Sequence, residues 1–225
     1  MWWLKSKMRV AAIIPAYNEE KHIAEVIIGT KQYVKDVFVV DDGSKDKTTE
    51  YAKNAGAIVL CHIVNMGKGV ALKTGFEATK DFDVVITLDG DGQHDPKEIP
   101  RFLKTLEEQQ ADIVIGGRKL NANMPFIFRF GNYLLYKTFH LLFGASIHDT
   151  QSGYRAFRKD VYGKIKWETS GYSVETEMLI KARKMGLKCV EIPIDTVYLD
   201  TVKGTTVLDG IKILMDMVIL KLRSW

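Results

Sequence analysis

The chain has 225 residues, 46% hydrophobic and 27% charged, with 18 Gly and 5 Pro, a balance that excludes disordered and fibrous proteins and supplies a sizeable core. A formal net charge of +4 is too small for a dedicated nucleic-acid binder, which must neutralise many phosphates. Cys61 and Cys189 sit in apolar runs without ligand spacing and read as reduced core thiols of a cytosolic protein. Residues 1–7 lack the features of a signal peptide, so no secretion is expected. No window reaches the roughly 18 to 20 apolar residues of a spanning helix, so a protein of this kind that meets a membrane lies on it.

Residues 10–14 form a continuous apolar run closed by Pro15, the pattern of a strand buried on both faces. Residues 37–40, 57–60, 84–88 and 113–115 repeat it. Helical stretches fill the intervals at 19–29, 46–54, 69–79 and 96–109, the last with Ile99, Phe102, Leu103 and Leu106 on one face. This β-α-β-α alternation predicts an α/β, Rossmann-like, doubly wound and mostly parallel sheet with helices on both faces. Ligands would gather beyond the carboxyl ends of its strands.

Residues 118–148 contain no Asp or Glu, yet carry Arg118, Lys119, Arg129 and Lys137 among seven aromatic residues. Such a mixture suits an interfacial helix on anionic lipid. A buried amphipathic helix is the alternative. Beyond it the pattern predicts a short strand at 154–157, a helix at 173–185, a strand at 189–194 and a last helix at 206–222. That last helix is apolar around most of its girth, with Asp209, Lys212 and Asp216 on a narrow polar face. Its wide apolar face calls for a membrane, a second copy in a homodimer, or the domain's own sheet.

Four loops carry candidate chemistry. Asp89-Gly90-Asp91-Gly92-Gln93 leaves a buried strand with two carboxylates two residues apart, able to aim at one hard divalent cation that bridges a diphosphate. An EF-hand is excluded by His94 and Pro100 at its sixth and twelfth positions. A solvated turn that caps the helix opening at Pro96 is the plainer alternative. In Asp41-Asp42-Gly43-Ser44 a carboxylate can read a nucleobase or ribose, while Ser44 or Asp46 caps the next helix. Pro15-Ala16-Tyr17-Asn18-Glu19 offers Tyr17 to stack on a base and Glu19 to reach a ribose, or is simply an acidic helix start. Asn65-Met66-Gly67-Lys68-Gly69 is not a P-loop, and Lys68 is a candidate phosphate contact.

Together, in this order, these loops resemble family 2 glycosyltransferases of the GT-A fold over residues 8–110. With Gln93 and Asp149-Thr150-Gln151-Ser152-Gly153-Tyr154-Arg155, the chain is most similar to the dolichyl-phosphate mannose synthase branch. The resemblance implies that Pro15, Tyr17, Glu19, Asp42, Lys68, Asp89 and Gly90 bind a nucleotide-sugar. It implies that Asp89, Asp91 and Gln93 hold Mg²⁺ or Mn²⁺, and that Arg118 and Arg129 grip phosphates. Asp91, Arg118, Arg129 and Asp149 are then the catalytic candidates. The implied donor is GDP-mannose or UDP-glucose, and the acceptor a polyprenyl phosphate met peripherally on the cytoplasmic face of a membrane. In domain terms, residues 1–200 form one GT-A domain, with a nucleotide-sugar half at 8–117 and an acceptor half at 118–200, followed by an amphipathic helix at 201–225. The chain has no Gln-x-x-Arg-Trp motif, so chain polymerisation is not expected.

A phosphate acceptor, with a second pKa near ~6, is already charged at neutral pH and needs only positioning. A hydroxyl acceptor would need a base, for which Asp149 and Glu175 are the candidates. A nucleotidyltransferase is disfavoured by the absence of a Gly-rich basic loop after the first strand. A non-catalytic adaptor is disfavoured by the intact pair Asp89 and Asp91.

Overall fold

The computed structural model describes residues 8–118, 126–144, 147–171, 173–195 and 207–222. Among these described residues seven strands form one sheet: β1 (Val10–Ala16), β2 (Asp36–Asp41), β3 (Ile58–Cys61), β4 (Val84–Thr87), β5 (Ile113–Arg118), β6 (Arg155–Arg158) and β7 (Cys189–Ile194). Their order is β3-β2-β1-β4-β6-β5-β7. Only β6 runs antiparallel to its neighbours, with Val85 opposite Phe157 on one side and Val114 opposite Ala156 on the other. The predicted doubly wound, mostly parallel α/β sheet is what the chain forms.

Helices cover both faces, because successive strand residues point to opposite sides. Ala12, Ile14 and Ala16 of β1 pack with α1 (Ile23–Lys31), α2 (Thr48–Asn54) and α4 (Ile99–Glu108). Ile13, between them in sequence, faces the opposite core. That core is built on α3 (Lys68–Ala78), α5 (Phe126–Phe143), α6 (Val161–Lys164), α7 (Val174–Lys184) and α8 (Val207–Leu222). A Cβ added at Gly75 of α3 would stand 2.5 Å from Ile13 Cγ2, so this helical glycine is what lets α3 lie directly on the sheet.

The elements differ from the sequence expectation mainly at their edges. The helix expected from residue 19 begins at Ile23. Asn18 adopts φ 54° and the amides of Asn18, Glu19 and Glu20 donate to side chains of the neighbouring loop, so this segment is a tied turn. Pro96–Glu98 is a separate 3₁₀ turn, capped by the Asp95 carboxylate, which accepts from Lys97 N–H at 3.0 Å. The short α6 was not expected.

The aromatic stretch forms α5, with one face buried in the core, as a buried amphipathic helix would be, and the other face exposed. Leu135 and Phe139 are buried in the core beside Ile213 and Met217 of α8, whereas Tyr133, Leu134 and Leu141 are exposed. On α8, Ile211, Met215, Val218, Ile219 and Leu222 remain exposed. Asp216 is not merely a solvent-facing polar residue, because its carboxylate accepts from Ser173 Oγ at the start of α7. Among the described residues no helix is long and apolar enough to cross a membrane.

Candidate active site

The carboxyl ends of β1, β2 and β4 open onto a cavity of ≈ 520 Å³, within the range of small-molecule sites. Pro15, Tyr17, Glu19, Asp42, Lys68, Asp89, Gly90, Asp91, Gln93 and Arg118 all line it. The four loops singled out in the sequence therefore converge on one space. Gln151, Ser152, Gly153, Gly171 and Glu175 close it from the other half of the chain.

The first two loops are fastened to each other. Asn18 N–H donates to Ser44 Oγ at 2.9 Å, Glu19 N–H to Thr48 Oγ1 at 2.8 Å, and Lys45 N–H to Asn18 Oδ1 at 2.8 Å. The neighbouring aspartates then divide their tasks. Asp41 accepts from Ser44 N–H at 2.9 Å and from the Thr49 hydroxyl, and so holds the loop itself. Asp42 faces the cavity and accepts from Met66 N–H at 3.0 Å and Gly67 N–H at 2.7 Å. His62, which nothing in the sequence singled out, lies with Nδ1 2.6 Å from Asp42 Oδ1 and Nε2 2.9 Å from Thr74 Oγ1.

The glycines beside Lys68 serve packing. Gly69 N–H donates to Ser170 O at 2.7 Å, and a Cβ at Gly69 would fall 2.1 Å from Thr169 O. The 168–170 backbone is in turn held by Glu177, whose carboxylate accepts from Glu168 N–H and Thr169 N–H at 2.9 Å each. This places the Lys68 ammonium 2.6 Å from Asp89 Oδ1 and 2.7 Å from Glu175 Oε1. Burial disfavours the Lys68 charge, but the two carboxylates outweigh it and raise its pKa above the usual lysine value. Burial likewise opposes ionisation of Asp89, and Lys68 reverses that, holding the carboxyl at about 2.

Asp91 goes the other way. Burial and the charge on Asp89 push its pKa up, although its Oδ1 accepts from Gln93 N–H at 3.0 Å. His94 is buried against Tyr154, its Nδ1 accepts from Asp89 N–H at 3.2 Å, and burial keeps its pKa low. Two close, mostly buried carboxylates with unequal proton affinity are the arrangement that a divalent cation relieves. Among the described residues no group of three or more His, Cys, Asp or Glu side chains would hold a metal unaided. Two carboxylates and the Gln93 carboxamide, all oxygen donors on one wall, fit instead a cation shared with substrate phosphates.

Arg118, at the end of β5, is gripped from behind. Its Nε donates to Asp149 Oδ2 at 2.6 Å, its Nη2 to Oδ1 at 3.0 Å and its backbone N–H to Oδ2 at 3.1 Å. Asp149 stands off the cavity wall, and Glu191 of β7 accepts from its amide at 2.8 Å. Burial raises the Asp149 pKa, but Arg118 overcomes that and holds it below the usual value. A carboxylate so depressed and so engaged orients a guanidinium and is a poor proton acceptor. Arg155, fully buried, donates to the carbonyls of Thr150, Ser152 and Glu175 at 2.8 to 3.0 Å and so shapes the 150–153 wall. Arg129 lies on α5, but its side chain and all of Lys119 fall outside the described residues.

The model of the family described as "Glycosyl transferase family 2" matches residues 11–166. The UDP-N-acetylglucosamine--dolichyl-phosphate N-acetylglucosaminyltransferase of Methanococcus voltae is 34% identical to this chain, over 93% of it and 95% of its own length. The undecaprenyl-phosphate mannosyltransferase of Micrococcus luteus is 32% identical, over 83% of each chain. Among solved structures, glucosyl-3-phosphoglycerate synthase from Mycobacterium tuberculosis, in complex with Mn²⁺ and UDP-glucose, shares the fold with a TM-score of 0.77 at 22% identity, over 98% of this chain and 79% of that one. The chain belongs to glycosyl transferase family 2, is a glycosyltransferase of the GT-A fold, and has among its relatives enzymes named for transfer to dolichyl and undecaprenyl phosphate.

Proposed function

We propose that the protein transfers one hexose, with inversion, from a nucleoside-diphosphate sugar to a polyprenyl phosphate at a membrane surface. The observation that carries the choice of acceptor is that the two candidate bases are already engaged: Asp149 holds Arg118 and Glu175 holds Lys68. A hydroxyl acceptor would have to surrender a proton to one of them, whereas an ionised phosphate surrenders none.

In this reading Tyr17 stacks on the base, Glu19 meets the ribose, Asp42 accepts from the base edge, and Pro15 and Gly90 pack along the nucleotide. Asp89, Asp91 and Gln93 hold Mg²⁺ or Mn²⁺, which when bound offsets charge on the departing diphosphate. Lys68 adds a positive charge beside the same group. Arg118, fixed by Asp149, and Arg129 position the acceptor phosphate. Its oxygen attacks the anomeric carbon opposite the diphosphate, a C–O bond forms as the old one breaks, and the electron pair leaves on the nucleotide.

The donor half is then 8–117 and the acceptor half 118–200, with the exposed apolar faces of α5 and α8 laid on the cytoplasmic leaflet. The test compares dolichyl phosphate with dolichol as acceptors for a panel of radiolabelled nucleotide-sugars and Mn²⁺. Organic-phase label with the phosphate alone is the expected result. Equal label with the alcohol would show a hydroxyl acceptor and return the base role to Glu175 or Asp149.

A further inference from the structure

Asp42 is the carboxylate at the end of β2 that faces the cavity, and its surroundings limit what it can read there. An ionised carboxylate has about four acceptor positions. On Asp42, Oδ1 takes Met66 N–H at 3.0 Å and His62 Nδ1 at 2.6 Å, while Oδ2 takes Gly67 N–H at 2.7 Å. A carboxylate only accepts, so Nδ1 donates a proton to Oδ1, while Nε2 lies 2.9 Å from the Thr74 hydroxyl, which can donate or accept. Thr74 on α3 thereby holds the ring in the place where its Nδ1–H closes Oδ1 to any ligand. One position is left, on Oδ2, and the only exposure that a 3% accessible Asp42 has to offer is the cavity it lines.

We infer that Asp42, closed on one oxygen by His62, is a single-acceptor reader that selects a uridine over a guanosine nucleotide. This rests on the nucleotide-sugar reading of the cavity with Asp42 at its base end. Uracil presents one N–H between two carbonyls. Guanine presents two adjacent N–H groups, which call for both oxygens of a carboxylate, and here one of the two would be buried without a partner. Asn65, exposed on the same rim and lining the cavity, carries a carboxamide that can donate to a uracil carbonyl. A site that leaves a buried donor unpaired rejects that ligand by roughly 10- to 100-fold. His62 is a positioning residue in this scheme, since it acts on the base only through Asp42.

The test is calorimetric titration of the full chain with UDP and with GDP, each with Mn²⁺. The expected result is UDP bound roughly 10- to 100-fold more tightly. His62→Phe, which removes the ring N–H and reopens Oδ1, narrows that ratio. Thr74→Val, which keeps the ring and its Nδ1–H but removes the contact that positions it, narrows it less. GDP bound as tightly as UDP by the unaltered protein overturns the inference and leaves the nucleotide-sugar site standing. Failure of both nucleotides to bind overturns that site and the inference with it. A ratio unchanged in both variants removes His62 and Thr74 from base selection.

Discussion

Lys68 and Arg118 show how single residues acquire partners that the sequence did not reveal. Both were candidates for phosphate contact, and in the structure each cation is held by carboxylates: Lys68 by Asp89 and Glu175, Arg118 by Asp149. The Asp149 pair gives a direct measurement. Its folded pKa lies below the unfolded value of roughly 3.9, so its stabilisation is complete above about pH 4 and is lost as pH falls through the lower folded value. Asp149→Asn should cost about 2 kcal/mol at pH 7, between an exposed pair and a fully buried one. It should also flatten part of the acid limb of stability. Urea denaturation at pH 7 and pH 3 checks both, and equal loss at the two pH values would contradict the pairing. At this scale the sequence was legible where residue type sufficed, as at Asp89 and Asp91. It was not legible where direction decided. Asp41 and Asp42 are adjacent and chemically identical, so residue type alone did not separate them; the family resemblance pointed to Asp42, and the end of β2 turns Asp41 into its loop and Asp42 into the cavity. His62 carried no local signal because its partner lies 20 residues away.

At the scale of elements, periodicity located the strands and most helices, since buried parallel strands and one-sided helices have distinct apolar patterns. It did not give the direction of β6, whose four residues are placed by pairing with β4 and β5. Nor did it divide α5 and α8 between core and surface, because both helices are apolar on more than one side. That division is measurable. Met217, fully buried on α8, should cost about 2 to 5 kcal/mol when truncated to Ala. Met215, exposed on the same helix, should change stability by less than about 0.5 kcal/mol. Met215→Ala should instead weaken sedimentation with anionic liposomes. Thermal melts and liposome sedimentation of both variants separate the roles, and unchanged liposome binding by Met215→Ala would contradict the membrane face proposed for α8.

At the scale of the whole molecule, the site draws residues from Pro15 to Glu175 onto one cavity, because a parallel sheet delivers every strand's carboxyl end to the same edge. The antiparallel β6, lodged between β4 and β5, brings Gly153 against the Asp89 carboxylate. There a Cβ would stand 2.7 Å from both oxygens and 2.8 Å from Lys68 Nζ. The β-α-β-α order was visible in the sequence, and so was the edge where ligands collect. The insertion of β6 was not, since it depends on contacts across about 70 residues. Asp89, Asp91 and Gln93 are proposed to serve a metal-dependent transfer to a lipid-borne phosphate. The most direct measurement follows organic-phase label from a nucleotide-sugar to dolichyl phosphate with Mn²⁺, with chelator, and with Mn²⁺ restored. Label that disappears with chelator and returns with metal is the expected result; transfer undiminished by chelator would contradict it.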